Sequence, residues 1–391
     1  MSEKRASNIE LLRIVAMLFV VSLHYLGKGG TLLAYGDENF TVNTWCAWLI
    51  EAFAYVAVNV YVLIAGYFLV DAKFKIVRVV KIWLQVVFYS AGVWLVLLML
   101  GQVPGDYQNG YYYSMFMLPI TSQHYWFASS YVFMCLLAPF LGVAVRSMSK
   151  VQLRTCIIVL MLLFSSVWRT VLPMSTPIED RGYGIIWFIC LFMIAAYIRI
   201  YVPLDGNWKR PMLIYILSSA ALFVSMPCIG FVTQSIGKMT QYYCIFYAYN
   251  APFTIIGAIG LFLAFRNIHI GSEKAGNIIN GLAGLTFGVY LLHEHVLLRH
   301  LWSSFWKVGE AYQTKWFILH FVGVVFCVYV AGSMLEWLRQ LIFGCFAKIL
   351  HLNVLAHKMS AIDDFFNAGK KGSIDEKGTT DGCGKTSYNK I

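Results

Sequence analysis

The stretch IELLRIVAMLFVVSLHYLG, from Ile9 to Gly27, is a mainly apolar run that carries two ionisable side chains, Arg13 and His24. Its length matches the roughly 20 residues that an α-helix needs to cross about 30 Å of hydrocarbon. Arg13 and His24 lie eleven residues apart, so a helix places them on one face, about 16 Å apart along its axis. Ionisable groups are costly inside a membrane and usually mark function.

The composition of the whole chain indicates an integral membrane protein. Of its 391 residues, 59% are hydrophobic and only 13% are charged, and the mean hydropathy is +0.67. Ten apolar segments are long enough to span a bilayer. They lie at approximately 9–27, 45–70, 79–100, 124–145, 153–172, 183–201, 211–230, 247–265, 282–301 and 316–340. We therefore predict an all-α integral membrane fold, a bundle of about ten transmembrane helices.

The placement of the basic residues predicts the orientation of this bundle. With the N-terminus in the cytoplasm, most of the 30 Lys and Arg residues fall on cytoplasmic connections and termini. The positive-inside rule then places both termini in the cytoplasm. The net charge of +11 therefore reflects topology and contact with membrane lipids, and we expect no nucleic-acid partner.

The chain divides into a membrane domain and a tail. We predict that residues 1–345 form the membrane domain, and that 346–391 form a largely disordered cytoplasmic tail, because the chain after about Asp363 is polar and rich in glycine. The first apolar run lacks a small-residue cleavage site after it, so we expect it to remain in the mature protein. The cysteines lie mostly within apolar segments, which favours packing over a metal framework.

Each side chain of the first helix has a structural and a functional interpretation. Glu10 lies three residues before Arg13 and can pair with it, or Arg13 can reach the headgroups. His24 can cap a neighbouring helix, but imidazole is also the side chain best matched to proton transfer near neutral pH.

A basic cluster begins the third segment, in DAKFKIVRVVKIW. Arg78 and Lys81 share a helix face there. One interpretation is ordinary contact with anionic headgroups. The other is a clamp for the phosphates of a nucleotide-containing donor that arrives from the cytoplasm.

Polar residues in other segments are candidates for the lining of a site. Asn59, inside the second apolar segment, needs a hydrogen-bond partner on a neighbouring helix. Glu51 lies on nearly the same face toward the outer end, where it is either solvated or orients an imidazole. His124 begins the fourth segment beside aromatic anchors. His293 and His295 have a His-x-His spacing, but they diverge on a helix and no further ligands complete a metal site, so we interpret His293 as a lining residue.

The longest outer loop, Gly101–Gln123, is rich in tyrosine and contains no Lys or Arg. Aromatic residues at this depth usually form the interfacial belt. The alternative is a carbohydrate contact, in which the rings pack on sugar faces and Asp106, Gln108 and Asn109 bind hydroxyls.

Five short motifs occur along these segments in a definite order. They comprise Glu10, Arg13 and His24; Val58, Gly66 and Tyr67; Arg78 and Lys81; Trp126, Phe127, Tyr131 and Pro139; and Gly288, Tyr290, Leu291 and His293. In this order and at this spacing, from about residue 5 to 345, they resemble acyltransferase family 3, a family of multi-pass membrane proteins. The chain departs from the family pattern at Asn59, Tyr61, Ala65 and Trp83.

The resemblance implies an enzyme of the bacterial cytoplasmic membrane that moves an acyl group, typically acetyl, from cytoplasmic acyl-coenzyme A to a hydroxyl of an envelope or lipid-linked glycan. Under this interpretation His24 is the general base or a transient acyl carrier. Arg13 binds the coenzyme or stabilises the oxyanion, and Arg78 with Lys81 contacts the coenzyme phosphates. The expected lining residues are Glu51, Asn59, His124, Trp126 and His293, and no metal is expected.

Two other classes of function fit an Arg and a His within a helical bundle. One is a polar-solute transporter or flippase in which Arg13 and His24 form a proton relay, although the sequence shows no repeated halves. The other is a non-catalytic sensor or assembly partner with a decayed site, and the presence of both Arg13 and His24 argues against decay.

Overall fold

The computed structural model describes residues 6–166, 181–349 and 362–367, and in these residues the chain forms helices and connections without a strand. The all-α prediction is therefore confirmed. The helices, in chain order, are α1 (Ser7–Lys28), α2 (Val42–Ala54), α3 (Ala57–Leu69), α4 (Ile76–Met99), α5 (Gly110–Met117), α6 (Trp126–Ser147), α7 (Lys150–Phe164), α8 (Ile185–Tyr201), α9 (Lys209–Ile236), α10 (Pro252–Asn267), α11 (Glu273–Ala283), α12 (Thr286–His293), α13 (Leu301–Phe305), α14 (Val308–Tyr312) and α15 (Phe317–Ile349).

Seven helical stretches in the described part of the chain are long and apolar enough to cross a membrane. They are α1, α2 with α3, α4, α6, α9, α11 with α12, and α15 as far as Cys345. The shorter apolar helices α8 and α10 coincide with two further predicted segments, and α7 coincides with the described part of another. The count of ten spans stays a prediction. The predicted end of the fifth segment, residues 167–172, lies outside the described residues.

Helix α3 is central to the bundle and packs against α1, α6, α8 and α10. Gly66 permits the closest approach, because a Cβ atom there would lie 2.9 Å from the Ala195 Cβ and 3.1 Å from the Phe192 Cα on α8. Gly260 does the same between α10 and α9, where a Cβ would lie 2.9 Å from the Pro211 carbonyl oxygen. Small residues of this kind allow membrane helices to pack backbone to backbone.

The ninth predicted segment, 282–301, differs from the structure at its end. The helix stops at His293, and the Glu294 backbone N–H bonds back to the Tyr290 carbonyl oxygen at 3.1 Å. Val296 and Leu297, which extend the apolar run in the sequence, instead pack in a small cluster beside Trp94. A hydropathy pattern records that residues are buried but not that the chain has turned.

Residues 362–367, within the predicted tail, form a short helix against the connection between α3 and α4. The Asp363 carboxylate accepts a hydrogen bond from the Ile76 backbone N–H at 2.7 Å, and Asn367 bonds both backbone polar groups of Phe74. The ring of Phe366 stacks on that of Phe74 at 4.3 Å. The other residues of the tail from 350 onward lie outside the described part of the chain.

Candidate active site

A cavity of about 1190 Å³ extends along α1 within the bundle. The α1 side of its wall runs from Ala6, just before the helix, to Lys28, which is about 33 Å at the rise of an α-helix. That length is comparable to the hydrocarbon thickness of a bilayer. Both Arg13 and His24 line it, so the helix face predicted from their spacing does face a protein cavity.

The cavity wall includes three guanidinium groups, from Arg13 in the half of α1 nearer Ser7, Arg78 at the start of α4 and Arg199 near the end of α8. Arg13 donates to the Glu10 carboxylate at 2.9 Å, so the pair suggested by the sequence is present. Arg199 was not among the predicted site residues, because it belongs to none of the sequence motifs. We call this part of the cavity the arginine end.

Asp71 holds the Arg199 side chain in place at the arginine end. The Arg199 Nε donates to Asp71 Oδ2 at 2.7 Å, and Arg146 pairs with the other oxygen of the same carboxylate. Burial raises the pKa of the Asp71 carboxyl, but the hydrogen bonds from Arg199 and Arg146 outweigh it and hold the pKa below its usual value. The Arg199 guanidinium also lies 4.8 Å from the ring centre of Tyr67. Arg199 is thus fixed, while its position still reaches the cavity wall.

Two histidines meet at the other end, which we call the histidine end. The His24 Nδ1 lies 2.8 Å from the His293 Nε2, and the His293 Nδ1 lies 2.6 Å from the Val289 carbonyl oxygen. A carbonyl oxygen only accepts hydrogen bonds, so His293 carries its proton on Nδ1 and its Nε2 accepts from His24. His24 therefore donates through Nδ1, and its Nε2 is left as an unprotonated nitrogen.

The Glu294 carboxylate lies on another side of the His24 imidazole. Its Oε2 lies 3.3 Å from the His24 Nδ1, and its Oε1 lies 3.9 Å from the Lys28 Nζ and 3.7 Å from the nearer Arg299 amino nitrogen. The Glu294 carboxylate therefore lies beside the His24 N–H and two cationic side chains, although its Oε2 forms no hydrogen bond within the described residues. Glu294 lines the cavity, and the sequence analysis assigned it no role although it stands between His293 and His295.

The cavity thus combines an imidazole that has an unprotonated nitrogen with three guanidinium groups. We compared the chain with models of known protein families. A family model described as an acyltransferase domain matches residues 7–334. This chain belongs to acyltransferase family 3. No curated protein and no solved structure shows a significant match to it.

The family match covers every motif that carried the resemblance, and the match confirms that resemblance. It begins at the first residue of α1 and ends within α15. The side chains named at the arginine end and at the histidine end of this acyltransferase all lie inside the matched region. The match establishes the family but assigns no role to an individual residue.

The structure places the predicted lining residues of the acyltransferase in two groups. Glu51 and Trp126 line the cavity, and His293 lies directly behind His24. Asn59 and His124 do not line it. Asn59 is fully buried, donates to the Tyr249 carbonyl oxygen at 2.7 Å and accepts from the Trp187 indole at 3.1 Å; it holds three parts of the chain together.

His124 belongs to a separate buried cluster. Its Nδ1 lies 2.8 Å from the Ser90 hydroxyl, and its Nε2 accepts from the Val296 backbone N–H at 3.3 Å. His295 packs 4.8 Å away, ring centre to ring centre, and bonds the Ser90 carbonyl oxygen. These contacts fix α4 against the turn that follows α12. Within the described residues, no three His, Cys, Asp or Glu side chains approach closely enough to hold a metal ion.

Lys81 and the polar residues of the outer loop lie away from the cavity wall. Lys81 is exposed and, unlike Arg78, does not line the cavity. In the loop, Gln108 bonds the Val103 carbonyl oxygen and Asn109 caps α5, so both side chains bond within the loop itself. Asp106 lies in a single helical turn and is exposed.

Proposed function

We propose that this acyltransferase moves an acyl group, most simply acetyl, from cytoplasmic acyl-coenzyme A to a hydroxyl of an extracytoplasmic or lipid-linked glycan in a bacterial cytoplasmic membrane. The proposal includes a ten-helix topology with both termini in the cytoplasm. The observation that carries it is one cavity with three guanidinium groups at one end and an unprotonated His24 nitrogen at the other.

The arginine end suits the donor. Coenzyme A is polyanionic, and guanidinium groups bind phosphate oxygens in a planar, paired geometry. Arg78 and Arg199 come from different helices, so they approach a phosphate from two sides. The pantetheine arm is a long, mostly uncharged chain, and its thioester would reach toward the histidine end along the narrow cavity.

The histidine end suits the chemistry. The acceptor hydroxyl gives its proton to the His24 Nε2 as its oxygen attacks the thioester carbonyl carbon, forming a C–O bond. The C–S bond then breaks, and the coenzyme leaves as a thiolate. The proton remains on His24. While His24 is protonated, its Nδ1–H remains bonded to the His293 Nε2, and the Glu294 carboxylate 3.3 Å away stabilises the imidazolium charge. A transient acyl-imidazole on the same nitrogen would be the two-step form of the reaction.

A polar-solute transporter or flippase is the second candidate, because the cavity wall follows the full length of α1. In that function Arg13 and His24 would relay protons. A transporter would change the location of a glycan but not its mass.

The decisive experiment is mass spectrometry of cell-surface glycans from cells that carry the wild-type protein, His24→Ala, or no protein. We expect one acyl mass increment in the wild type, and its loss in His24→Ala because removal of a general base costs about 10²–10⁴-fold in rate. His269→Ala is the matched control, since His269 is exposed and lies off the cavity. An unchanged glycan mass in all four strains would refute acyl transfer to glycans, and full activity of His24→Ala would remove His24 as the base.

A further inference from the structure

Four aromatic side chains gather on the wall of the same cavity, from Tyr55, Trp126, Tyr183 and Tyr249. We call them the aromatic box. The ring centres lie 4.6 Å apart for Trp126–Tyr183, 4.9 Å for Tyr183–Tyr249, 5.2 Å for Tyr55–Tyr249 and 5.9 Å for Trp126–Tyr249. They come from four distant parts of the chain, so only the folded bundle assembles them.

The box is held in position by contacts behind it. The Tyr55 hydroxyl donates to the Tyr247 carbonyl oxygen at 2.9 Å, and the Tyr249 backbone N–H donates to the Arg181 carbonyl oxygen at 2.9 Å. Gly182 adopts a positive φ of 87°, and a Cβ there would lie 2.8 Å from the Tyr249 Cβ. The turn before α8 thus packs directly on Tyr249. Rings fixed in this way lose little freedom when a ligand binds.

A buried carboxylate stands one helical turn from the box. Glu51 precedes Tyr55 by four residues and lines the cavity, yet its side chain is only 7% exposed. Its Oε2 has no hydrogen-bond partner among the described residues. A buried polar atom without a partner is costly to the fold and calls for an explanation. A ligand hydroxyl that donates to this oxygen would supply the missing bond.

The combination of rings and carboxylate defines the chemistry of the ligand. The C–H groups of a pyranose present an apolar face that packs on aromatic rings, and its hydroxyls donate to a carboxylate. An acyl or pantetheine chain would satisfy the rings but offer Glu51 no comparable row of hydroxyls. A ligand cation would also fit rings and a carboxylate, so choline serves below as the probe for that alternative.

We propose that Glu51 and the aromatic box form the subsite that binds one pyranose ring of the acceptor, with Glu51 accepting a hydrogen bond from a sugar hydroxyl. The inference rests on the proposed function, because it places the acceptor in the cavity that His24 lines. The subsite selects the acceptor, and it leaves the donor to the arginine end.

Binding can be measured apart from transfer. The full chain in nanodiscs, without acyl-coenzyme A, is titrated with methyl glycosides of glucose, galactose, mannose and N-acetylglucosamine, and saturation-transfer NMR reports contact. We expect at least one glycoside to bind, and Glu51→Gln to weaken it by about tenfold, the scale of one lost hydrogen bond. Glu310→Gln is the matched control, because Glu310 is exposed outside this cavity and its loss should change nothing.

Two further probes identify a wrong ligand class. Cyclohexylmethanol has an apolar ring but only one hydroxyl, and choline is a cation without a sugar ring. Glycoside binding that Glu51→Gln weakens, with little signal from either probe, supports the proposal. Choline binding that depends on Glu51, or the absence of any glycoside signal that depends on Glu51, overturns it.

The stability of the variants separates ligand binding from a structural role. Glu51→Gln replaces a buried carboxyl group that lacks a partner by an amide of the same size, so its melting temperature should be equal to or above that of the wild type. A lower melting temperature together with weaker binding would assign Glu51 a structural role and overturn the proposal.

Tyr183→Ala tests the box itself, because Tyr183 is 44% exposed and its loss should leave the fold intact. We expect it to weaken glycoside binding, while Tyr111→Ala in the outer loop, 68% exposed, should not. The reverse result would place the sugar on the outer loop and overturn the subsite. Glycoside binding without any acyl transfer would refute the proposed function alone, whereas transfer without Glu51-dependent binding would refute this subsite alone.

Discussion

At the scale of single residues, the hydrogen bond between His24 and His293 decides what the histidine end can do. The Val289 carbonyl oxygen fixes the proton on the His293 Nδ1, and His293 in turn fixes the proton on the His24 Nδ1. The Trp302 indole donates to the His293 carbonyl oxygen at 3.1 Å and further anchors that residue. This series leaves the His24 Nε2 free to accept a proton. The spacing of Arg13 and His24 predicted their shared face, but not the tautomer.

Arg199 gives a residue-scale prediction about the donor. Arg199→Ala should raise the KM for acyl-coenzyme A by about tenfold or more, because a charge-assisted hydrogen bond to a phosphate is lost, and should change the acceptor KM little. Arg146→Ala is the matched control. Both side chains pair with Asp71, but only Arg199 lines the cavity.

The measurement is steady-state release of the coenzyme thiol by the purified enzyme. Equal effects of the two substitutions would show that the ion pairs with Asp71 matter for folding of the connection after α3, and that Arg199 does not bind the donor.

At the scale of elements, α1 and α3 do most to shape the site. Helix α1 contributes one continuous stripe of the cavity wall, because lining residues recur at helical spacing from Glu10 to Lys28. Helix α3 packs behind it, and the Tyr61 hydroxyl donates to the Arg13 carbonyl oxygen at 2.8 Å. The departures of this chain from the family pattern at Asn59 and Tyr61 therefore correspond to contacts in the structure, with Asn59 joining α3 to Trp187 and Tyr249.

Gly66 supports a prediction about how α3 packs. Gly66→Ala should destabilise the bundle by about 1–3 kcal/mol, because the added Cβ has no room against α8 and the helices must separate. Gly92→Ala on α4 is the matched control, since a Cβ at Gly92 meets nothing within 4 Å. Thermal unfolding in detergent, followed by size-exclusion chromatography, should show a lower melting temperature for Gly66→Ala alone. Equal melting temperatures would mean that α3 and α8 are less tightly packed than the structure shows.

At the scale of the whole molecule, the proposed topology would place the two ends of the cavity toward opposite sides of the membrane. The arginine end lies toward the connection between α3 and α4, which would face the cytoplasm in that topology. The histidine end lies toward the end of α1 and the turn after α12. A donor and an acceptor would then approach from opposite sides of the membrane.

The ten-span topology can be tested with reporter fusions. A chain of ten spans that begins in the cytoplasm places Asp205 and the C-terminus inside, and Asp106 and Lys307 outside. We expect alkaline phosphatase to be active when fused after Asp106 or Lys307, and a fluorescent protein to fluoresce when fused after Asp205 or Ile391. Phosphatase activity at Ile391 would indicate an odd number of spans and refute the topology.

Some properties of this protein follow from its sequence because their physical basis is local. The apolar segments, the bias of basic residues and the shared face of Arg13 and His24 depend on neighbouring residues and on helical periodicity alone. The same local reasoning extended the ninth segment beyond His293, because it could not register the turn that starts at Glu294. The order of the motifs was enough to reach the family.

Only the tertiary structure decided how distant residues meet. His24 and His293 are 269 residues apart in the chain, and the aromatic box joins residues from four regions. Arg199 has the same sequence signature as any basic residue at a helix end, and what distinguishes it is its place between Asp71 and the cavity. Relative helix placement depends on the packing of small residues such as Gly66 against other helices. The sequence alone therefore determined that α1 carries Arg13 and His24 on one face, and the fold determined what surrounds them.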